Sequence, residues 1–259
     1  MNVAVFTDND FDKINGVTTT LTALLRHSPA DIRPRIFTAA GIAADYPDYL
    51  ALRSLGVGIP FYREMKMHLP PWRRYLEWVR RDRIDLIHLT TPGPVGLAAL
   101  WVASQASLPL VGSFHTDLSA YTRVLSGSDR LGTVMQDYMR WLYRDCRSVL
   151  VPSESTRQLM VAARWPADRI RIWSRGVDTT LFSPQRRSRD LRDEWRVSAD
   201  RPVLLYVGRL SKEKGLAQLP LLQAALRARS VSHRLVIAGD GPLRRQLATE
   251  CPEAVICGP

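Results

Sequence analysis

A short run of apolar residues that ends in a glycine turn constrains the fold of this chain more than any other feature. Residues 203–207 read Val-Leu-Leu-Tyr-Val, which is typical of a strand buried on both faces, and Gly208 follows directly. The sequence then continues with basic residues and with leucines at helical spacing: Arg209, Lys214, Leu216, Leu219, Leu222 and Leu226. A strand, a tight turn and a helix in this order form the repeating unit of a doubly wound parallel sheet. We therefore predict an α/β fold.

The turn after this strand also has the chemistry of an anion site. Backbone N–H groups and the helix dipole favour negative charge where a helix begins, and Arg209 and Lys214 add two full positive charges. A phosphate or a diphosphate is the predicted guest. The local sequence leaves open the alternative that these basic side chains form an ordinary solvated loop.

The strand-to-turn pattern recurs along the chain. Residues 2–7 form a predicted strand, and the polar loop after it contains Asn15-Gly16. Glycine tolerates a positive φ and lets backbone approach a ligand closely, although an ordinary turn that caps the next helix is the alternative. Further strands are predicted at 35–38, 84–89, 110–113, 148–152, 169–173, 234–238 and 254–257, and helices at 18–26, 71–83, 97–106, 131–144, 153–163, 215–229 and 243–250.

Polar residues follow two further strands of the predicted sheet. His115 comes directly after residues 110–113, and Arg175 and Asp178 follow residues 169–173. Ligands of open α/β sheets bind at the carboxyl ends of the strands, so His115 is placed to donate to a phosphate or a sugar hydroxyl. The alternatives are a structural hydrogen bond for His115 and a loop at 174–184 that simply leaves the domain.

The length and the charge pattern predict two domains. A chain of 259 residues is long for one doubly wound domain and short for two. Residues 185–200 contain five arginines and no clear apolar period before Trp195, which is typical of a linker. We predict a first domain at 1–184, a linker at 185–200, and about half of a second domain at 201–259.

The net charge of +11 predicts an anionic partner, which is a nucleic acid, an anionic membrane or a phosphorylated substrate. No nucleic-acid recognition motif is present, so nucleic acid is disfavoured. Residues 70–83 combine aromatic and apolar residues on one helical face with arginines: Trp72, Tyr75, Leu76 and Val79 with Arg73, Arg74, Arg80 and Arg81. This pattern predicts a helix that lies on an anionic membrane, and a surface helix docked on its own sheet is the alternative.

Targeting signals and cysteine spacing narrow the setting. No apolar run reaches the ~18–20 residues that span a bilayer, and the N-terminus reads as a strand rather than a signal peptide. We expect a cytoplasmic protein that is peripheral on the inner face of the plasma membrane. Cys146, Cys251 and Cys257 are widely separated and are predicted to be buried or incidental thiols rather than metal ligands or a disulfide.

The order of the motifs is more specific than any one of them. The motifs are, in order, Thr7-Asp8 with Asn15-Gly16-Val17-Thr18, Thr91-Pro92-Gly93-Pro94, Ser113-Phe114-His115-Thr116-Asp117, Val151-Pro152-Ser153, Trp173-Ser174-Arg175-Gly176-Val177-Asp178, Leu181-Phe182-Ser183-Pro184 and Tyr206-Val207-Gly208-Arg209-Leu210 with Lys212-Glu213-Lys214. With these motifs the chain resembles the family-four retaining glycosyltransferases of the GT-B fold. Within that family it most resembles the branch of GDP-mannose-dependent alpha-mannosyltransferases and sulfoquinovosyl-diacylglycerol synthases.

This resemblance implies two Rossmann-like domains with a cleft between them, in which the first domain holds the acceptor and the second holds most of a nucleotide-sugar donor. His115 would contact the sugar and help to stabilise the transition state, and Arg209 and Lys214 would clamp the diphosphate. The remaining donor-site residues implied are Asn15, Gly16, Arg175 and Asp178. No metal or other cofactor is expected, because Arg and Lys supply the positive charge.

The implied reaction is transfer of mannose from GDP-mannose to a membrane glycolipid or lipid-linked acceptor. One alternative is a glycolipid synthase that uses a UDP-sugar such as UDP-sulfoquinovose. Another is a non-catalytic remnant that binds anionic membrane or donor phosphates, because the family's acidic motif of two glutamates falls after residue 259. The second domain is therefore expected to be truncated at its C-terminus and to expose apolar surface. A dinucleotide-dependent oxidoreductase is disfavoured because no G-x-G-x-x-G follows the first strand.

Overall fold

The computed structural model describes residues 1–9, 11, 15–39, 49–51, 56–59 and 62–258, which divide into two compact units, Met1–Gly176 and Val177–Pro259. The division precedes the predicted boundary at 184. The predicted linker, 185–200, is part of the second unit, because Arg192 Nη2 donates to Arg201 O at 2.6 Å and Arg234 Nη2 donates to Arg196 O at 3.3 Å. Val197 is also buried in this unit.

The first unit alternates strands and helices, as predicted. Its elements are β1 (Asn2–Phe6), α1 (Gly16–His27), β2 (Arg33–Thr38), β3 (Tyr49–Ala51), β4 (Gly56–Ile59), β5 (Tyr62–His68), α2 (Trp72–Arg81), β6 (Leu86–Leu89), α3 (Pro94–Ala106), β7 (Leu110–Ser113), α4 (Leu118–Ser126), α5 (Asp129–Tyr143), β8 (Ser148–Val151), α6 (Glu154–Ala162) and β9 (Ile170–Ile172). The prediction missed β3, the antiparallel pair β4–β5, and α4.

Seven of these strands form one parallel sheet in the order β3-β2-β1-β6-β7-β8-β9. Val5 of β1 is in register with Ile36 of β2 on one side and with His88 of β6 on the other. From β1 the chain adds β2 and β3 on one side of the sheet and later adds β6 to β9 on the other side. Such a reversal opens a crevice at the carboxyl ends of the strands, here between β1 and β6.

An aromatic cluster fixes α2 against this sheet. Tyr75 is fully buried between Phe6 and Phe37, whose rings lie 5.3 and 5.7 Å from its own. Val79, one helical turn further on, is also buried. The face of α2 that carries Tyr75 and Val79 is therefore docked on the protein's own sheet, which was the alternative to a membrane-facing helix. The arginines at Arg73, Arg74 and Arg80 and the edge of Trp72 stay exposed.

The second unit contains a three-stranded parallel sheet. Its elements are α7 (Arg189–Glu194), β10 (Val203–Val207), α8 (Gln218–Ala228), β11 (Arg234–Ala238), α9 (Arg244–Glu250) and β12 (Val255–Gly258), with short 3₁₀ turns at Pro184–Arg186 and Lys212–Lys214. The strands pair in the order β10-β11-β12, and Leu210, Leu235, Ile237 and Leu247 form the core. Apolar surface is exposed on the opposite face of β10, where 56% of Leu205 and 71% of Val207 are accessible.

All three cysteines are free thiols, and Cys146 and Cys251 are buried while Cys257 is exposed. Among the helices of the described residues, none combines the length and the apolar character that crossing a bilayer requires.

Candidate functional site

The loops that follow β1, β6, β7 and β9 lie at one edge of the large sheet, because all its strands are parallel. Asp8, in the first of these loops, ties the loop to the start of α3. Its Oδ2 accepts from Thr91 Oγ1 at 2.6 Å and from Gly93 N at 3.1 Å, and its Oδ1 accepts from Val95 N at 2.9 Å. A Cβ on Gly93 would lie 2.6 Å from Asp8 Cγ, so only glycine fits there.

This arrangement gives two of the sequence motifs a structural role. Thr7-Asp8 and Thr91-Pro92-Gly93-Pro94 meet at the point where the strand order reverses, and Asp8 satisfies the N-terminal N–H groups of α3. Burial raises the pKa of Asp8, while the hydrogen bonds from Thr91 and from the backbone oppose that shift. The side chain of Asp8 thus occupies the N-terminus of α3, where an external anion would otherwise bind.

His115 and Arg175 come together at the same edge. Arg175 Nη2 lies 2.6 Å from His115 Nδ1. A guanidinium has no acceptor, so Arg175 must donate, and the proton of the neutral imidazole must sit on Nε2. Burial, with smaller contributions from the charges of Arg175 and His88, lowers the pKa of His115 to about 3. The imidazole is therefore a neutral N–H donor across the physiological pH range.

The Nε2 atom of His115 is buried and has no hydrogen-bond partner among the described residues. A buried donor without an acceptor costs about 1–3 kcal/mol. Such a cost is repaid when a ligand oxygen accepts the hydrogen bond. The arrangement therefore presents one fixed donor, aimed by Arg175, to a ligand at the carboxyl edge of β7.

Sequence reasoning missed two residues that support His115. The ring of Trp173 lies 6.2 Å from that of His115 and 6.0 Å from that of His88, so the indole packs close to both imidazoles. His88 is buried and forms a hydrogen bond with Ser113 Oγ. The available signal was a histidine inside an apolar strand, five residues before Gly93-Pro94.

The buried imidazole of His88 predicts a pH-dependent stability. Burial lowers its pKa from 6.5 to about 4, so the unfolded chain binds this proton more tightly than the folded one. The stabilisation is complete above pH 6.5 and is lost as the pH falls toward 4. Urea titrations at pH 6.5 and pH 5.0 measure how much free energy of unfolding each protein loses over this range. The loss should be about 1.5 kcal/mol smaller in His88→Gln than in the wild type. His27→Gln, at an exposed site, should follow the wild type, and identical losses in all three proteins would contradict the prediction.

Asn15 and Gly16 form the start of α1. Asn15 Oδ1 accepts from Val17 N at 2.9 Å and from Thr18 N at 3.0 Å. Thr18 Oγ1 in turn accepts from Asn15 N at 3.0 Å. Asn15 is therefore the helix cap that the sequence left open as an alternative. Gly16 is helical and does not use the positive φ that glycine tolerates. A Cβ at Gly16 would meet no described atom within 4 Å, which leaves room for a ligand.

In the second unit, Gly208 begins the loop that carries Arg209 and Lys214. Gly208 has φ +152°, and a Cβ on Gly239 would lie 1.9 Å from Gly208 O, so two glycines let the turns after β10 and β11 pack together. Gly208 N donates to Ala238 O, and Leu210 N donates to Asp240 O. The helix predicted at 215 begins only at Gln218, after a 3₁₀ turn.

This geometry changes how an anion could bind to the loop. Since the N–H groups of Gly208 and Leu210 bond to carbonyl groups and no α-helix begins at the turn, the predicted cradle of backbone N–H groups is not formed at these two residues. The predicted anion site would depend instead on the side chains of Arg209 and Lys214. Asp178 Oδ1 accepts from Thr180 N and Leu181 N, both at 2.9 Å, and so holds its own turn. Donor-binding roles for these residues stay predictions.

Two family models match the chain in succession. The first, described as Glycosyltransferase Family 4, matches residues 14–181, and the second, Glycosyl transferases group 1, matches residues 188–254. The chain belongs to glycosyltransferase family 4. The family predicted from the motif order is thereby confirmed.

Curated relatives carry the same family character. The chain is 29% identical to a GDP-mannose-dependent alpha-mannosyltransferase of Corynebacterium glutamicum, covering 100% of this chain and 62% of the relative. It is 29% identical to the sulfoquinovosyl transferase SQD2 of Arabidopsis thaliana, covering 82% and 41%, and 24% identical to an alpha-monoglucosyldiacylglycerol synthase of Streptococcus pneumoniae, covering 95% and 57%. The family-four chain thus spans about two fifths to three fifths of the length of these relatives.

Solved structures confirm the fold. HepE of Anabaena, crystallised in complex with UDP, matches with a TM-score of 0.69 at 17% identity, over 100% of this chain and 69% of that one. At this identity the likeness concerns the fold alone. The predicted GT-B fold class, with two Rossmann-like α/β units, is confirmed.

Proposed function

We propose that this family-four chain transfers a sugar from a nucleotide-sugar donor to a lipid-linked or glycolipid acceptor. The observation that carries the proposal is the His115–Arg175 pair, which holds a neutral imidazole with a buried, unpartnered Nε2–H at the ligand-binding edge of the sheet. A sugar is rich in the oxygens that such a donor needs. The same role is supported by Asn15 and Gly16, which begin α1 after the loop that follows β1, where Gly16 is exposed.

Transfer from a nucleotide sugar releases a nucleoside diphosphate, so negative charge develops on the leaving group. Cationic side chains aimed at that charge lower the barrier, since they bind the transition state more tightly than the ground state. Arg209 and Lys214 are the residues proposed for this task, and Arg175 and Asp178 are proposed to line the donor site. In this proposal the side-chain cations supply the charge, and no metal or other cofactor takes part.

The donor proposed is GDP-mannose. This choice is supported by the Corynebacterium relative, whose name specifies that donor and which matches this chain over its whole length while 62% of the relative is covered. A UDP-sugar is the second candidate, supported by the Anabaena structure that contains UDP. The two candidates differ in the nucleotide base and not in the diphosphate chemistry.

A lipid acceptor is favoured by the Streptococcus relative, whose name gives a glucosylated diacylglycerol as its product. The exposed residues in and just before α2 favour it too. Arg73 and Arg74 are exposed beside Leu69, of which 64% is accessible, and Trp72, of which 37% is accessible. Basic and aromatic side chains together favour an anionic lipid surface. We propose that the chain acts as a peripheral protein on the cytoplasmic face of the plasma membrane.

The membrane proposal predicts a loss of vesicle binding when charge is removed from α2. The double variant Arg73→Gln/Arg74→Gln should bind vesicles of phosphatidylglycerol and phosphatidylcholine about 10- to 30-fold more weakly, since each basic residue near the surface contributes about 1 kcal/mol. Sedimentation with vesicles measures the effect. Arg229→Gln/Arg245→Gln removes as many charges elsewhere and should bind as the wild type does. Equal binding by both double variants would contradict a role for α2.

A transfer assay tests the proposed activity. The chain is incubated with lipid extract and with radiolabelled GDP-mannose or UDP-glucose, and the label in the organic phase is counted. The proposal predicts labelled lipid from GDP-mannose. Label from UDP-glucose alone would favour the second donor, and no labelled lipid from either donor would contradict transfer by this chain.

A further inference from the structure

We propose that a cavity in the second unit, distinct from the loop of Arg209 and Lys214, binds a phosphate group. The cavity has a volume of about 90 Å³. It is called the arginine cavity here, and its lining includes Arg201, Arg227, Arg234, Gln223, His233 and Glu253. The inference goes beyond the proposed transfer reaction and does not depend on it.

The arginine cavity lies at the amino edge of the small sheet. Arg201 precedes β10, Arg234 begins β11, and Glu253 precedes β12. Gly208 and Arg209 follow the opposite, carboxyl end of β10. A parallel sheet separates its two edges by the length of its strands, so a ligand in this cavity would not touch the predicted diphosphate loop.

Backbone carbonyl groups hold two guanidinium groups in place at the cavity. Arg201 Nη2 donates to His233 O, and Arg234 Nη1 donates to Glu253 O at 3.0 Å. Fixed guanidinium groups lose little conformational entropy when they bind, and their planar N–H donors match the oxygens of a phosphate. The two arginines are therefore pre-organised for an oxyanion.

Two further donors of these arginines are unused. Nε of Arg201 and Nε of Arg234 are buried, and neither has a hydrogen-bond partner within the part of the chain that the structure describes. A buried N–H of a charged group is costly to leave without an acceptor. Both side chains line the cavity, and the negative charge of an anion there would offset the cost of these desolvated donors.

The charge in the cavity is also uneven. Arg201, Arg227 and Arg234 contribute three guanidinium groups, while Glu253 is the one carboxylate among the described residues that line it. Arg227 Nη2 lies 3.5 Å from Glu253 Oε2, and it donates to Gln223 Oε1 at 3.2 Å. One carboxylate leaves an excess of positive charge, which favours an anionic ligand.

The volume sets the size of that ligand. A single water needs roughly 10–15 Å³ of such space, so this cavity has room for a small tetrahedral anion. A phosphate group fits in size, charge and hydrogen bonding. It could belong to a free phosphate or to the headgroup of a phospholipid.

Calorimetric titration of the full chain with inorganic phosphate tests the inference. The titrations use the Arg209→Ala/Lys214→Ala background, so that the predicted diphosphate loop does not contribute heat. We expect Arg227→Gln to weaken phosphate binding about 10-fold, and Glu253→Gln to strengthen it about 5-fold at low salt, because one change removes an attractive charge and the other a repulsive one. Arg229→Gln, an exposed arginine on the same segment and outside the cavity lining, is the matched control and should bind as its background does.

Two probes distinguish the sources of the phosphate. Saturable binding of inorganic phosphate and glycerol 3-phosphate, with vesicle binding that is the same in Arg227→Gln and Arg229→Gln, assigns a free ligand. Sedimentation with phosphatidylglycerol vesicles that is weakened by Arg227→Gln alone, and competed by inorganic phosphate, assigns a lipid headgroup. No saturable phosphate binding, or equal binding by Arg227→Gln, Glu253→Gln and Arg229→Gln, overturns the inference. Because the background lacks the donor loop, this result is independent of whether the chain transfers sugar.

Discussion

Replacing Arg209 with alanine is expected to weaken binding of the donor nucleotide by about 10- to 100-fold, as one charge-assisted hydrogen bond contributes about 1.5–3 kcal/mol. The structure makes this expectation sharper than the sequence did. Gly208 N and Leu210 N are already bonded to carbonyl groups, so they cannot share the diphosphate with the side chain of Arg209. Calorimetric titration with GDP measures the loss.

Two variants control for the Arg209 result. Arg229→Ala removes an equal charge from an exposed site of the same unit and should leave the affinity for GDP unchanged. Arg209→Lys keeps the charge without the planar fork and should recover part of the affinity. Affinity for GDP that is the same in Arg209→Ala and the wild type would remove Arg209 from the proposed diphosphate clamp.

Replacing His115 with alanine is expected to lower the rate of sugar transfer by about 100- to 1,000-fold, which is the usual effect of deleting one fixed donor to developing charge. The reason is geometric, because Arg175 occupies Nδ1 and leaves Nε2–H as the donor. His115→Gln can still donate from its amide and should retain more activity than His115→Ala. The transfer assay described above provides the rates.

The pH profile adds a second test of His115. Since the pKa of this imidazole is lowered to about 3, it stays neutral from pH 5 to pH 8. The pH profiles of the transfer rate in the wild type and in His115→Gln should therefore have the same shape near pH 6.5. His27→Ala removes an exposed imidazole and should not change the rate. A rate in His115→Ala equal to that of the wild type would exclude the imidazole from the reaction.

The sequence predicted those helices and strands that are specified by neighbouring residues, through capping residues and apolar periodicity. A helix is predicted at 153–163, and Ser153 caps the observed helix because its Oγ accepts from Thr156 N at 3.2 Å. The helix predicted at 131–144 is observed at Asp129–Tyr143. The missed helix Leu118–Ser126 also had signals, because Asp117 caps it and Gly127 ends it with φ +68°. No element is predicted from the sequence at these residues, because Asp117 and Gly127 are not weighed there as helix-end signals.

The supports of the site could not be predicted from the sequence, because they join residues that are distant in the chain. Asp8 bonds to Thr91 and Gly93 only once β1 and β6 are neighbours. His88 and Ser113 lie on adjacent strands, and Trp173 approaches them from the end of a third. The aromatic face of α2 was ambiguous for the same reason, since Tyr75 fits a lipid surface as well as the space between Phe6 and Phe37.

The measurement that tests the central claim most directly is a calorimetric titration of the 259-residue chain with GDP, GDP-mannose and UDP side by side. The proposal predicts saturable binding of GDP and GDP-mannose, with weaker binding of UDP. Saturable binding of UDP in preference to GDP would contradict GDP-mannose as the donor and would favour a UDP-sugar. Absence of binding by all three nucleotides would contradict a donor site in this chain.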